Sequence, residues 1–348
     1  MKLSDFDFPL PEELIAQRPA PHRDQSRLMA VDRDSGRISH AIFSDIGAYL
    51  TGRPLLVFNN TRVVPAKLHG YKKSNGKRVE VLLVRELEPA RWETMIKGLS
   101  RIKTGDEIVF GDEELVARLE ETHAGRGYLR FFCSGDLTPT LNRLGRPPLP
   151  PYIRRSPHDG QDLLDLDRER YQTVFAERPG SIAAPTSGLH FTKDLLEDIR
   201  TRRADLVSLT LHVGVGTFQP VREEEIVRHK MEKEYYHIPA NSWNRILKAK
   251  IEGQKILAVG TTATRVLESA EIAEPAKEDV AGWTDRFIYP GQEFKNVRGL
   301  VTNFHLPKST LYLLVCAFAG KDLMEKAYNE AIRQKYRFFS YGDAMLIL

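Results

Sequence analysis

The feature that most constrains this chain is a change of texture near residue 60. Residues 63–68, 78–84, 91–96, 107–110, 115–119 and 128–133 are short strand-like runs, and turn signals such as Ser74-Asn75-Gly76, Thr104-Gly105-Asp106 and Gly125-Arg126-Gly127 separate them. Six runs at this spacing predict a small antiparallel barrel or sandwich. It ends at Arg146-Pro147-Pro148-Leu149-Pro150-Pro151-Tyr152, a stiff link that cannot continue a sheet.

From Tyr171 onward strands and helices alternate. Strands are expected at 206–213, 255–259, 286–288, 300–304 and 344–348; helices fit 192–202 with Thr192 as cap, 242–252, 262–273, 309–319 and 322–336. Before the barrel, 11–17 and a Ser44-capped segment read as short helices, and 28–32 and 55–58 as strands. This alternation predicts an α/β fold, with 55–58 joining the same sheet. The expected organisation of the 348 residues is an α/β catalytic domain formed by 1–60 and 151–348, with 61–150 as an inserted small antiparallel β-barrel.

The longest apolar stretch, 310–319, is too short to span a bilayer, and MKLSDFDFPLPEEL lacks the layout of a secretory signal, so a cytoplasmic location is expected. Cys133 and Cys316, the only two cysteines, sit in apolar runs and read as buried thiols. They cannot supply the three thiolates of an iron–sulfur cluster, and no His-x3-His or Cys/His spacing supports a metal site. Net charge is only +4, but its distribution is uneven. Residues 46–79 contain no Asp or Glu yet carry seven Lys and Arg, and 137–158 hold Arg143, Arg146, Arg154 and Arg155 among prolines. Each stretch alone reads as solvated loop charge; two in one chain point toward a polyanionic partner.

In α/β sheets ligands bind beyond the carboxyl ends of strands. Four such ends carry small, hydroxylated or basic groups: Asn59-Asn60-Thr61-Arg62, Gly214-Val215-Gly216-Thr217-Phe218, Gly260-Thr261-Thr262-Ala263-Thr264-Arg265 and His305-Leu306-Pro307-Lys308-Ser309-Thr310. Neither a dinucleotide fingerprint nor a phosphate-cradling GxxxxGK[ST] occurs. Gly260-Thr261-Thr262 reads either as an ordinary helix start or as a nest of backbone N–H groups for an anion. His190, His212 and His305 lie near strand ends or helix starts, where histidine is either a satisfied structural residue or a proton shuttle.

At these residues the chain resembles the S-adenosylmethionine:tRNA ribosyltransferase-isomerase family of queuosine biosynthesis. The matching runs include FNNTRVVPAKLHG (58–70), LGRPPLPPYIRR (144–155), GSIAAPTSGLHFT (180–192), TLHVGVGTFQPV (210–221), AVGTTATRVLES (258–269), VTNFHLPKSTL (301–311) and YRFFSYGDAML (336–346). Ser187 stands where the family usually has Ala, Glu232 replaces the second histidine of a His-x-Met-His run, and Gln292 takes an aromatic position. The resemblance implies an α/β domain with an inserted barrel. It also implies transfer of the ribosyl part of S-adenosylmethionine, a co-substrate, to 7-aminomethyl-7-deazaguanine at the tRNA wobble position. Epoxyqueuosine forms and adenine and methionine leave, with no metal, no permanently bound cofactor, no membrane and no obligate protein partner.

On that reading His190 and His305 are the proton-transfer candidates, with Asp343 as carboxylate orienter or base. Gly260, Thr261 and Thr262 would hold the co-substrate, Arg265 and Lys308 would contact anions, and Lys72, Lys73, Arg143, Arg154 and Arg155 would contact the tRNA backbone. Two rivals stay open at this level: a methyltransferase using the same co-substrate, and a non-enzymatic RNA-binding protein.

Overall fold

The computed structural model describes residues 1–156, 159–214, 216, 221 and 223–348. Along the chain come β1 (Arg27–Val31), β2 (Ile38–Ile42), β3 (Leu55–Asn59) and β4 (Thr61–Val63). Then follow β5 (Lys67–Lys72), β6 (Arg78–Glu88), β7 (Arg91–Ile96), β8 (Glu107–Phe110), β9 (Leu115–His123) and β10 (Arg126–Phe132). Next are α1 (Leu137–Leu144), α2 (Gln161–Arg170), β11 (Arg178–Ser181), α3 (Lys193–Arg202), β12 (Asp205–Leu211), β13 (Glu234–Ile238) and α4 (Ala240–Ile251). The chain continues through β14 (Ile256–Val259), α5 (Thr261–Ser269), β15 (Val280–Thr284), β16 (Gly299–Asn303), α6 (Thr310–Ala319), α7 (Lys321–Arg333) and β17 (Ala344–Ile347). Two compact units result: 1–62 with 151–156 and 170–348, and 63–150 with 157–169.

The first unit is a layered α/β structure on a nine-stranded sheet of order β15-β13-β12-β3-β14-β16-β17-β1-β2. Strands β12, β3, β14 and β16 are mutually parallel, so their carboxyl ends line one edge. Every residue of β3, β14 and β16 is buried. That is the apolar-run signature of a parallel sheet covered on both faces. Period-two alternation divides the strands between two cores. Leu55, Val57, Ile256 and Ala258 face a cluster built with α4 to α7, whereas Leu56, Phe58, Leu257 and Val259 face one built with α3 and the 43–49 turn. Thr192 caps α3 by accepting from the Leu195 N–H at 3.1 Å, and Ser309 caps α6 in the same way from Tyr312.

The second unit contains a closed antiparallel barrel of order β10-β7-β6-β5-β8-β9. Closure removes unpaired edges. Its interior is filled by side chains such as Leu68, Val81, Ile108, Phe110, Leu119 and Leu129. Among the described residues no helix is long and apolar enough to cross a membrane. Cys316 is a buried free thiol, raised to about 12 by burial, but Cys133 is only half-buried.

Several elements depart from the sequence expectation for identifiable reasons. The 63–68 run is split around Pro65, which has no N–H for a ladder; β4 instead pairs with β11 in a separate two-stranded sheet. The 286–288 segment is not a strand. The Arg286 carbonyl accepts from Arg265 Nε and its N–H is taken by Thr284 Oγ1, so its backbone serves side chains rather than a ladder. Residues 11–17 make only a 3-10 turn, Glu12–Leu14. The unexpected α1 carries Pro139 in its first turn, where no N–H is needed, behind the cap Asp136. The equally unexpected α2 is mostly polar and carries little apolar periodicity.

Gly70 marks a close approach between β5 and β8. A Cβ there would lie 2.3 Å from the Val109 carbonyl oxygen and 2.6 Å from Phe110 Cδ1. Gly70→Ala is expected to destabilise this unit by about 1–3 kcal/mol or more, since backbone must shift to admit the methyl. Thermal unfolding checks this, and an unchanged midpoint contradicts it.

Candidate active site

The site is assembled at the shared carboxyl edge of β12, β3, β14 and β16. Asn59, the last residue of β3, is buried and has all its hydrogen-bonding capacity engaged. Its Nδ2 donates to the Leu211 carbonyl and to Thr262 Oγ1, both at 3.1 Å, and its Oδ1 accepts from the Thr61 and Leu211 N–H groups at 3.1 and 3.0 Å. One side chain thereby ties the ends of two strands to the start of α5. Asn60 extends the knot: Thr210 Oγ1 donates to its Oδ1, and its Nδ2 donates to Glu177.

Gly260 turns the chain from β14 into α5 with φ +96°, a backbone conformation that favours glycine. The space beside its Cα is bordered by Ser187 Oγ and Thr262 Oγ1, each 3.6 Å from where a Cβ would stand. Thr261 and Thr262 open the helix, whose first N–H groups have no intrahelical acceptor. Gly260, Thr262, Ser187 and Asn59 therefore meet at one point. Of the Gly214 loop, Gly214 and Gly216 are described, whereas Val215, Thr217 and Phe218 lie outside the described residues.

His190 arrives from the 3-10 segment Thr186–His190 and lies over the end of β16. Its Nδ1 is 2.7 Å from Ser26 Oγ, and Asn303 Nδ2 donates to its Nε2 at 3.2 Å. Asn303 Nδ2 also donates to the Phe339 carbonyl at 3.0 Å, which fixes the orientation of the amide. Accepting at Nε2, a neutral imidazole carries its proton on Nδ1 and donates it to Ser26. Burial pushes the His190 pKa down to about 4; Asp343 opposes that shift, while Arg337 and Arg23 add to it. Asn303 Oδ1 is buried with no hydrogen-bond partner among the described residues.

His305 follows β16 directly. Its Nε2 lies 2.7 Å from Thr302 Oγ1, its N–H donates to Tyr328 Oη at 3.0 Å, and burial pushes its pKa down to about 3. Both histidines are thus neutral at neutral pH. Asp343, almost fully buried, accepts from the Arg27 N–H, the Arg337 N–H and the Arg337 guanidinium at 3.1, 2.8 and 3.1 Å. It clasps β1 to the turn before β17 and acts on His190 through its charge.

The other expected residues are placed differently. Arg265 is buried in an ion pair with Glu234, which also accepts from the Gly214 N–H. Its Nη2 has no hydrogen-bond partner among the described residues. Lys308 pairs with Asp7 at 2.6 Å on the surface. Each expected RNA contact already has an intramolecular partner. Lys72 pairs with Asp106, Lys73 with Glu107, Arg143 with Glu114 and Arg154 with Glu12, and Arg155 donates to the Gln17 and Arg154 carbonyls. Among the described residues no group of three or more His, Cys, Asp or Glu could hold a metal ion. Little in the local sequence marks Ser26 or Glu234 as a site residue. Their partners lie 164 and 31 positions away, and only a buried acid in an otherwise aromatic strand, Glu234-Tyr235-Tyr236, gave any signal.

A parallel-strand edge loaded with histidine, asparagine and hydroxyl groups, in a chain that also carries a closed barrel, defines an enzyme of the α/β class. The chain belongs to the family described as queuosine biosynthesis protein, which it matches over residues 3–347. It is 49% identical over 349 residues to a protein of Halothermothrix orenii and 47% identical to one of Staphylococcus haemolyticus, each match covering all of both chains. Both relatives are named S-adenosylmethionine:tRNA ribosyltransferase-isomerase. The crystal structure of S-adenosylmethionine tRNA ribosyltransferase from Thermotoga maritima is similar at 36% identity, with a TM-score of 0.55, covering 99% of this chain and 100% of that one.

The buried neutral histidines make stability depend on pH. Unfolded, they titrate near 6.5; folded, at about 4 and about 3. Between these limits the unfolded chain binds more protons, so their contribution is full above pH 6.5 and is lost as pH falls through the window. Each adds a slope of about 1.4 kcal/mol per pH unit. Urea unfolding between pH 7 and 4.5 should show a shallower acid-side decline in His190→Gln than in the parent, by about one proton. Equal slopes would contradict the burial argument.

Proposed function

We propose that this enzyme transfers the ribosyl portion of S-adenosylmethionine to 7-aminomethyl-7-deazaguanine at the wobble position of tRNA, giving epoxyqueuosine and releasing adenine and methionine. The observation that carries this reading is end-to-end similarity, at 46–49% identity, to proteins bearing the corresponding name. S-adenosylmethionine acts as a co-substrate, with no metal and no permanently bound cofactor required. A tRNA substrate places the reaction in the cytoplasm.

The sulfonium of the co-substrate acidifies the adjacent C5′–H, and a positioned base removes that proton. A histidine that starts neutral is a base first, and the proton it collects can then go to the adenine as the C1′–N bond breaks. The step balances: the C5′ pair left by the proton forms C4′=C5′, the C4′–O4′ bond opens to a C1′ carbonyl, and adenine departs with the proton the imidazole carried, before the precursor amine adds and methionine leaves. His190 and His305 are the groups suited to this shuttle, His190 taking the proton at Nε2 as the long Asn303 contact opens, with Asp343 stabilising the imidazolium of His190 through space. Gly260, Thr261 and Thr262 offer helix-start N–H groups to the methionine carboxylate. Arg265 Nη2 is a second anion donor, and Lys308 becomes a third by leaving Asp7, since exposed pairs are worth little.

For RNA, Lys72, Lys73, Arg143, Arg154 and Arg155 are the proposed backbone contacts. Phosphate would replace carboxylate partners, most readily at Lys73, Arg143 and Arg154, which are the more exposed. We read the segment 61–150 as an inserted barrel domain that carries the first three of these.

Adenine release from S-adenosylmethionine in the presence of precursor-bearing tRNA tests the proton-transfer assignment. His190→Ala and His305→Ala should each slow it by about 10²–10⁴-fold. Full rates in both variants would remove the two histidines from the mechanism.

A further inference from the structure

A row of rings stands at the β12 end of the carboxyl edge and has no part in the chemistry above. Tyr235 of β13 pairs directly with Trp283 of β15. One step past the Leu211–Tyr236 pair, the His212 N–H donates to the Tyr235 carbonyl at 3.0 Å. Register thus sets His212, Tyr235 and Trp283 side by side on one face of the sheet. His212 stacks on Tyr235 with centroids 5.9 Å apart, and Tyr235 meets Trp283 edge-on at 5.6 Å.

The inner end of the row is fixed and the outer end is open. Thr61 Oγ1 lies 2.8 Å from His212 Nδ1. A Cβ on Gly180 would come within 2.8–2.9 Å of three atoms of the His212 ring, so only glycine lets the ring lie there. Trp283, by contrast, is 58% exposed, and its same-face neighbour Ala281 is too small to cover it. Arg178 stands close enough to act on His212 by charge, and its ion pair with Asp279, at 3.9 Å, is half exposed.

We propose that this row is a stacking platform for an unpaired RNA nucleotide, the base lying on the exposed Trp283 against the Tyr235 ring and its phosphate facing Arg178. A nucleotide combines a π face with an anion, which matches rings beside a cation; an apolar protein segment would match only the rings. The platform joins the catalytic edge through Thr61, two residues after Asn59, so its occupant is a neighbour of the base being modified. This inference rests on tRNA being the substrate.

The test uses the full chain, S-adenosylmethionine and an anticodon stem-loop carrying the precursor base, intact or abasic at either flanking position. Trp283→Ala should raise the Kd for the intact stem-loop by about 5- to 150-fold and raise its KM in the adenine-release assay, while Trp283→Phe restores most of the affinity. At the abasic position that removes the stacked base, the parent should weaken and Trp283→Ala should add nothing further. Unchanged Kd in Trp283→Ala with an unchanged thermal midpoint overturns the platform, as do additive losses at both abasic positions. A dimer lost on Trp283→Ala with RNA binding intact would assign the rings to self-association and overturn it too. If the parent chain binds the stem-loop yet releases no adenine, the proposed function fails; if it turns over normally and only the Trp283 arm is silent, the platform alone fails.

Discussion

Asn59 sets the geometry on which the carboxyl edge of the sheet depends. Four hydrogen bonds from one buried amide hold the end of β3, the end of β12 and the first turn of α5 in fixed relation. An amide side chain suits this junction because it offers two donors and an acceptor with two lone pairs. An apolar residue of similar size would leave buried N–H and carbonyl groups unpaired, each at a cost of about 1–3 kcal/mol. Gly260 adds the second constraint, since its positive φ delivers the helix start against Ser187 rather than past it.

Around that knot the polar groups divide between those that are satisfied and those with remaining capacity. Asn60, Thr302 and Asp343 all have partners within the fold. Asn303 Oδ1 and Arg265 Nη2 are buried without partners among the described residues. Both belong to elements at the carboxyl edge, where α/β sheets take ligands. Burial also keeps His190 and His305 uncharged, so under the proposed mechanism a cationic co-substrate would meet neutral imidazoles rather than like charges.

Much of this was legible in the sequence where the determining interactions are local. The apolar runs of β3, β14 and β16, each followed by polar residues, marked the strands whose carboxyl ends line one sheet edge, and Thr192 and Ser309 marked helix starts that the structure keeps. Pairing across the chain was not legible. The acid-free stretch 46–79 looked like uncompensated positive charge, yet Asp106 and Glu107 come back across the barrel to pair with Lys72 and Lys73. Arg265 looked like a loop cation, but Glu234 is buried against it. The aromatic row likewise exists only through strand register, because His212, Tyr235 and Trp283 are spread over more than seventy positions.

Beneath these details lies one chemical statement: the sugar, not the methyl group, leaves the sulfonium for the RNA. The most direct measurement supplies precursor-bearing tRNA with S-adenosylmethionine labelled separately in the pentose and in the methyl group. The account predicts pentose label in the RNA and methyl label in free methionine. Methyl label in the RNA, with the pentose label left in solution, would contradict it.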